Sequence, residues 1–135
     1  MKTVTSTLHT ERSAAILADL RQVVGAEFVV SDAHALARAA RTTSPQGTTP
    51  AVIVRPASAR EVREVVRCAA QYALHVYPIS GGKNWGYGDA CAPKDGCLLL
   101  DLARMNRILE VNAELASTIS SVKNSAMAGA KVIPE

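Results

Sequence analysis

Two hydrophobic periods alternate along this chain. Between Glu11 and Val24, apolar residues at Ala14, Ile16, Leu17, Leu20, Val23 and Val24 approximate the 3.6-residue stripe of a helix. Thr10 stands where a helix N-cap belongs, and Gly25 where a glycine ends one. After the short apolar run Phe28-Val29-Val30, Ser31 or Asp32 can cap a second helix that runs to about Ala40. The segment from Thr42 to Pro50 is rich in Thr, Ser, Pro and Gly and predicts turn and loop.

The pattern then shortens. Ala51-Val52-Ile53-Val54 predicts a buried strand, ended by Arg55-Pro56. Ser58-Ala59-Arg60-Glu61 has the spacing of a capping box, in which serine and glutamate satisfy the free backbone N–H groups at a helix start. Val62, Val65, Val66, Ala69 and Ala73 would line one face of the helix that follows, and Val76-Tyr77-Pro78-Ile79 predicts a second strand. Strand, helix and strand make a βαβ unit, whose two strands are expected to be parallel and adjacent. Leu98 to Leu102 predicts a third strand, and Ile108 to Val111 a fourth with Leu115-Ala116 as hairpin partner. The fold class expected is α+β: a βαβ unit with a small mixed sheet flanked by helices. From Ser117 the composition turns to small polar residues, compatible with a weak strand through Ile119 and then disorder.

Composition narrows the function. At 135 residues, 48% hydrophobic and 20% charged, the chain suits one globular domain with a real core. No apolar run approaches the ~20 residues of a membrane span, and the polar start Met1 to Ser6 has no apolar signal core. A soluble, cytoplasmic protein with no membrane partner is expected. The net charge of +3 is spread over scattered Lys and Arg with almost no interleaved aromatics, so no nucleic-acid partner is expected. Cys68, Cys91 and Cys97 form no close pair, and His9, His34 and His75 are isolated, so no metal site is expected and the cysteines read as reduced thiols.

One segment carries candidate chemistry. Ser80-Gly81-Gly82-Lys83-Asn84-Trp85-Gly86-Tyr87-Gly88-Asp89 places four glycines within eight residues directly after a predicted buried strand. Glycines let successive backbone N–H groups converge on one concavity, where an anion can bind. Ser80 and Asn84 add side-chain donors and Lys83 adds positive charge. Two familiar phosphate motifs fail here. A Walker loop needs a glycine where Tyr77 stands and Ser or Thr where Asn84 stands. The GxGxxG fingerprint beginning at Gly86 and Gly88 meets Cys91 in place of its last glycine.

The strand Val52-Ile53-Val54 with Arg55-Pro56-Ala57-Ser58, the helix with Glu61 and Val62, and the run Pro78 to Gly88 together resemble the FAD-binding domain of the vanillyl-alcohol oxidase and p-cresol methylhydroxylase family. Leu99-Leu100-Asp101-Leu102, Met105-Asn106-Arg107-Ile108 and Glu110-Val111-Asn112 continue the resemblance to about Ala116. It implies FAD as cofactor and partner. Ser80, Gly81, Gly82, Lys83 and Asn84 would face the pyrophosphate, while Gly86, Tyr87 and Gly88 would shape the second half of the loop. Some relatives have histidine, covalently bonded to flavin, where this chain has Lys83.

The resemblance divides the chain into a helical leader (1–50), a partial FAD-binding domain (51–116) and a divergent tail (117–135). Complete family members are several times longer and finish the flavin site with sequence beyond this region. The expected function is therefore the FAD-binding part of an oxidoreductase that takes a hydride from an alcohol, phenolic or similar C–H donor, inactive alone. The alternative is a non-catalytic interaction module or remnant. An exposed sheet edge would favour self-association or a complementary chain. No catalytic base is assigned. Trp85 suits packing as well as flavin contact, His75 the surface, Asp101 a turn or cap, and Tyr72 and Tyr77 the core or its rim.

Overall fold

The computed structural model describes residues 3–40, 47–80, 91–112 and 117–120, with side chains described for 12–40, 47–80 and 91–108. The elements in order are α1 (Thr3–Val24), a 3-10 turn (Ala26–Phe28), β1 (Val29–Val30), α2 (Ala33–Ala39), β2 (Val52–Val54), α3 (Ala59–Gln71), β3 (Val76–Ile79), β4 (Leu98–Asp101), a second 3-10 turn (Leu102–Arg104), β5 (Ile108–Asn112) and β6 (Ser117–Ser120). The α+β class with a mixed sheet holds.

Helix α1 begins at Thr3 rather than after Thr10. No glycine or proline interrupts Thr3 to His9, so nothing local stops the helix there. Its end is as expected: Gly25 has φ +94°, a left-handed conformation that glycine takes without a Cβ clash, and its N–H reaches the Arg21 carbonyl at 3.0 Å. Asp32, not Ser31, caps α2, accepting from the His34 and Ala35 N–H groups. Those two bonds, followed by the smaller effects of His34 and Arg38, hold its carboxyl below the usual carboxylate range.

At α3 the Ser58 hydroxyl accepts from the Glu61 N–H at 3.2 Å, as the capping box requires. The Glu61 carboxylate reaches one residue further back than expected and takes the Ala57 N–H at 2.8 Å. The buried face of α3 is Val65, Cys68 and Ala69, with Val62 and Tyr72 half-buried beside them. Val66 is 44% exposed, because it sits roughly 100° around the helix from Val65. Ala73 lies past the helix end, exposed, with φ +53°. It closes a Schellman turn, in which the Leu74 N–H bonds the Ala69 carbonyl and the Ala73 N–H the Ala70 carbonyl.

The main sheet runs β1-β2-β4-β3, so β2 and β3 are parallel but not adjacent. Strand β4 enters between them and pairs in parallel with both. The βαβ unit is thus split, which corrects the expected adjacency. The reason is burial. Leu98, Leu99 and Leu100 are all buried, a continuous apolar run that needs cover on both faces and a neighbour on both sides. β3 is buried less thoroughly, and Pro78 is exposed. The Leu98 N–H bonds the His75 carbonyl, so by alternation the Tyr77 and Ile79 N–H groups turn toward β4 while the Pro78 nitrogen turns to the other side, where no strand pairs with β3 among the described residues. A proline there blunts the edge against strand addition.

Val52, Val54, Leu98 and Leu100 pack with Leu20, Val24, Val65, Cys68 and Ala69, joining the sheet to α1 and α3. Ile53 and Leu99 alternate to the opposite face and are buried there. Tyr72 ties the two helices together: its hydroxyl donates to Asp19 at 2.7 Å, and its carbonyl accepts from Arg12 at 2.6 Å. Strand β1 pairs antiparallel with β2, so residues before position 50 contribute a strand to the main sheet as well as helices. The fourth predicted strand, β5, pairs antiparallel with Ser117–Ser120, in agreement with the weak strand read through Ile119, while the expected hairpin partner Leu115-Ala116 lies outside the described residues. Residues 121–135 lie outside the described residues.

Candidate functional site

Strands β2, β4 and β3 run in one direction, and their carboxyl ends form a single edge. In parallel sheets this is where ligands bind, because loops diverge there and leave a crevice. Arg55 follows β2, Ser80 follows β3, and Asp101 ends β4. Ile79 pairs in register with Asp101, so Ser80 lies one residue past the level of that carboxylate. Ser80 is exposed. The candidates Gly81, Gly82, Lys83, Asn84, Gly86, Tyr87 and Gly88, and Trp85 with them, fall outside the described residues.

Around Ser80 the edge is organised by charged groups that sequence reading missed. Asp101 accepts the Ala103 N–H with Oδ1 at 3.0 Å, capping the 3-10 turn that follows β4, which is the capping role expected of it. Its Oδ2 also accepts Arg55 Nε at 2.9 Å, an ion pair across 46 positions. Arg104 donates to the Arg55 carbonyl at 2.8 Å and lies 3.3 Å from the centre of the Phe28 ring, a cation–π contact. The run Arg55-Pro56 directly after a buried strand was the available signal. Its partner Asp101 could not be inferred, since the pairing of β2 with β4 was not foreseen.

Other candidates take the ordinary roles expected of them. His75 is exposed, with Lys94 Nζ 3.2 Å from its Nε2. Tyr72 and Tyr77 are half-buried. The hydrogen bond to Asp19, then burial, raises the Tyr72 phenol above its ordinary value. Burial, aided by Asp19, raises the Cys68 thiol. Cys91 packs against Thr48, whose hydroxyl also bonds the Ala92 carbonyl. All three cysteines are free thiols.

A groove between α1 and α3, lined by Asp19, Glu64, Arg67 and Gln71 among others, lies on the helical side of the sheet. Its mixed charge and two carboxylates suit an anion poorly. At the carboxyl edge, Arg55 pairs with Asp101 and Arg104 bonds the Arg55 carbonyl, beside an exposed serine. Guanidiniums in that position fit a phosphate group.

Over residues 50–124 the chain matches the model of a known family described as an FAD binding domain. The chain belongs to that family. The match runs beyond Ala116, where the resemblance in the sequence was expected to stop. A curated relative, 1'-carboxy-chondrochloren decarboxylase of Chondromyces crocatus, is 44% identical over 111 residues, covering 81% of this chain and 20% of its own length. The 4-cresol dehydrogenase (hydroxylating) flavoprotein subunit of Pseudomonas putida is 32% identical over 66 residues, covering 49% of this chain and 13% of its own.

Among solved structures, p-cresol methylhydroxylase with substrate bound superposes with a TM-score of 0.73 at 24% identity, over 78% of this chain and 21% of that one. The 4-ethylphenol oxidase of Gulosibacter chungangensis gives 0.70 at 30% identity, over 80% and 21%. The resemblance to the p-cresol methylhydroxylase family is therefore borne out. The chain spans about a fifth of the length of the relatives it matches over most of its own.

Proposed function

We propose that this chain binds FAD at the carboxyl edge of its sheet, with the segment Ser80 to Gly88 taking the pyrophosphate, and that it serves an FAD-linked oxidoreductase. The observation that carries this reading is the placement of Ser80. Strand β3, paired in parallel with β4, delivers it to the edge that carries the Arg55 and Arg104 guanidiniums, immediately before the run Gly81-Gly82-Lys83-Asn84. Membership of the FAD binding domain family supports the identity of the ligand.

Each residue has a role that follows from its chemistry. Gly81 and Gly82 allow close backbone approach to the phosphates. Lys83 supplies an ammonium, Asn84 and Ser80 supply polar donors, and Gly86, Tyr87 and Gly88 shape the remainder of the loop. The flavin, when bound, supplies a hydride acceptor for an alcohol, phenolic or similar C–H donor. The protein's part is to bind and orient it. Relatives named as a dehydrogenase, an oxidase and a decarboxylase each match part of this chain, which suits a cofactor-holding role here and a reaction decided by other sequence.

Titration with FAD, followed by flavin fluorescence or calorimetry, tests the reading on wild type, Lys83→Ala and Gly82→Val together. Lys83→Ala is expected to lose about 1–3 kcal/mol of binding, one charge-assisted contact. Gly82→Val is expected to lose more, since a β-branched side chain fills the concavity and resists positive φ. Tight binding that neither substitution weakens refutes the assignment.

A further inference from the structure

We infer that Arg55 is a phosphate contact of the carboxyl edge, held in position by Asp101; this rests on the FAD reading above. The pairing of Val54 with Leu100 places Arg55 at the level of Asp101, and Asp101 pairs with Ile79, one residue before Ser80. Arg55 therefore stands about two strand spacings, roughly 10 Å, from the start of the glycine-rich segment.

Asp101 is well immobilised. One oxygen is fixed by the Ala103 N–H and the other by Arg55 Nε, and its side chain is only 15% exposed. It holds Arg55 side-on, through Nε, while 43% of the arginine side chain remains exposed. A guanidinium carries five N–H donors in a rigid fork, so a side-on clamp through Nε leaves the terminal nitrogens to present as a pre-aimed pair.

Arg104 is a second cation of this edge, anchored by the Arg55 carbonyl and the Phe28 ring. A purely structural ion pair does not explain the exposed end of Arg55, whereas a phosphate oxygen at the edge gives it a partner.

The experiment measures FAD affinity of the full chain, wild type and Arg55→Gln, at about 50 mM and about 500 mM salt, with circular dichroism to check folding. Arg55→Gln is expected to weaken FAD tenfold or more at low salt, and the gap is expected to narrow several-fold at high salt, because screening removes the charge contribution from wild type. If glutamine unfolds the chain, Arg55→Lys replaces it. Lysine keeps the charge but not the fork, and a several-fold, salt-sensitive weakening is then expected. Affinity within twofold of wild type at low salt overturns the assignment. So does a loss of the same size at both salt concentrations, which is the mark of a structural role. If the wild-type chain binds no FAD at all, the FAD reading fails first and this inference falls with it.

Discussion

Replacing Leu98 by alanine tests whether β4 is the central strand of the sheet. Leu98 is fully buried and belongs to the cluster that joins the sheet to α1 and α3. It pairs with Val52 on one side and Val76 on the other. Truncation removes three carbons, worth roughly 2.4 kcal/mol at about 0.8 kcal/mol per buried methylene. Strands on both sides hinder collapse around the hole, so a cavity term adds to this and the expected total is about 3–4 kcal/mol. Against a total stability on the order of 5–15 kcal/mol for a domain, that is a large fraction. Urea unfolding followed by far-UV circular dichroism measures it, with Val66→Ala as control. Val66 is 44% exposed on α3, so its loss is expected to cost under about 1 kcal/mol. Were β2 and β3 adjacent, as the sequence alone suggests, β4 would be an edge strand and Leu98 half solvated. A cost below about 1.5 kcal/mol for Leu98→Ala, with an unchanged m-value, refutes the β2-β4-β3 order.

Ala73→Gly is expected to stabilise the chain by about 0.5–1 kcal/mol, since φ +53° strains an alanine and glycine's extra unfolded-state entropy offsets only part of the relief; an unchanged or lower urea midpoint refutes it. Tyr72→Phe is expected to destabilise the chain at neutral pH by removing the hydrogen bond to Asp19. The Tyr72 phenol lies above its ordinary value of 10.0, so its contribution is complete below that pH and is lost as pH rises through the folded-state value. The stability gap between wild type and Tyr72→Phe should therefore narrow as pH rises above about 10, and a gap that widens there contradicts the hydrogen bond.

Local signals in the sequence determined most elements. The Ser58 cap, the apolar runs at Val52–Val54 and Leu98–Leu100, and the glycine after Val24 each specify backbone conformation within a few residues, where propensity and capping act. The same locality made the glycine-rich segment after Ile79 legible as an anion-binding candidate, because glycine content and donor chemistry are properties of the segment itself. Local signals misplaced one boundary: nothing in the sequence forced α1 to wait for Thr10.

Only the tertiary structure decided the order of the strands. Parallel pairing brings together residues far apart in the chain, and the apolar side chains of β2, β3 and β4 fit several orders equally well when each is considered alone. The observed order puts the triple-leucine strand β4 at the centre, where both faces and both edges are covered, and leaves Pro78 on an edge that its missing N–H suits. That choice sets Arg55 beside Asp101, with Asp101 one strand and Arg55 two strands from Ser80. The sequence by itself determined that a glycine-rich segment with polar and basic side chains follows strand β3. The electrostatic setting of that loop comes from three chain segments meeting at one sheet edge, and such a meeting is a property of packing that no single segment encodes.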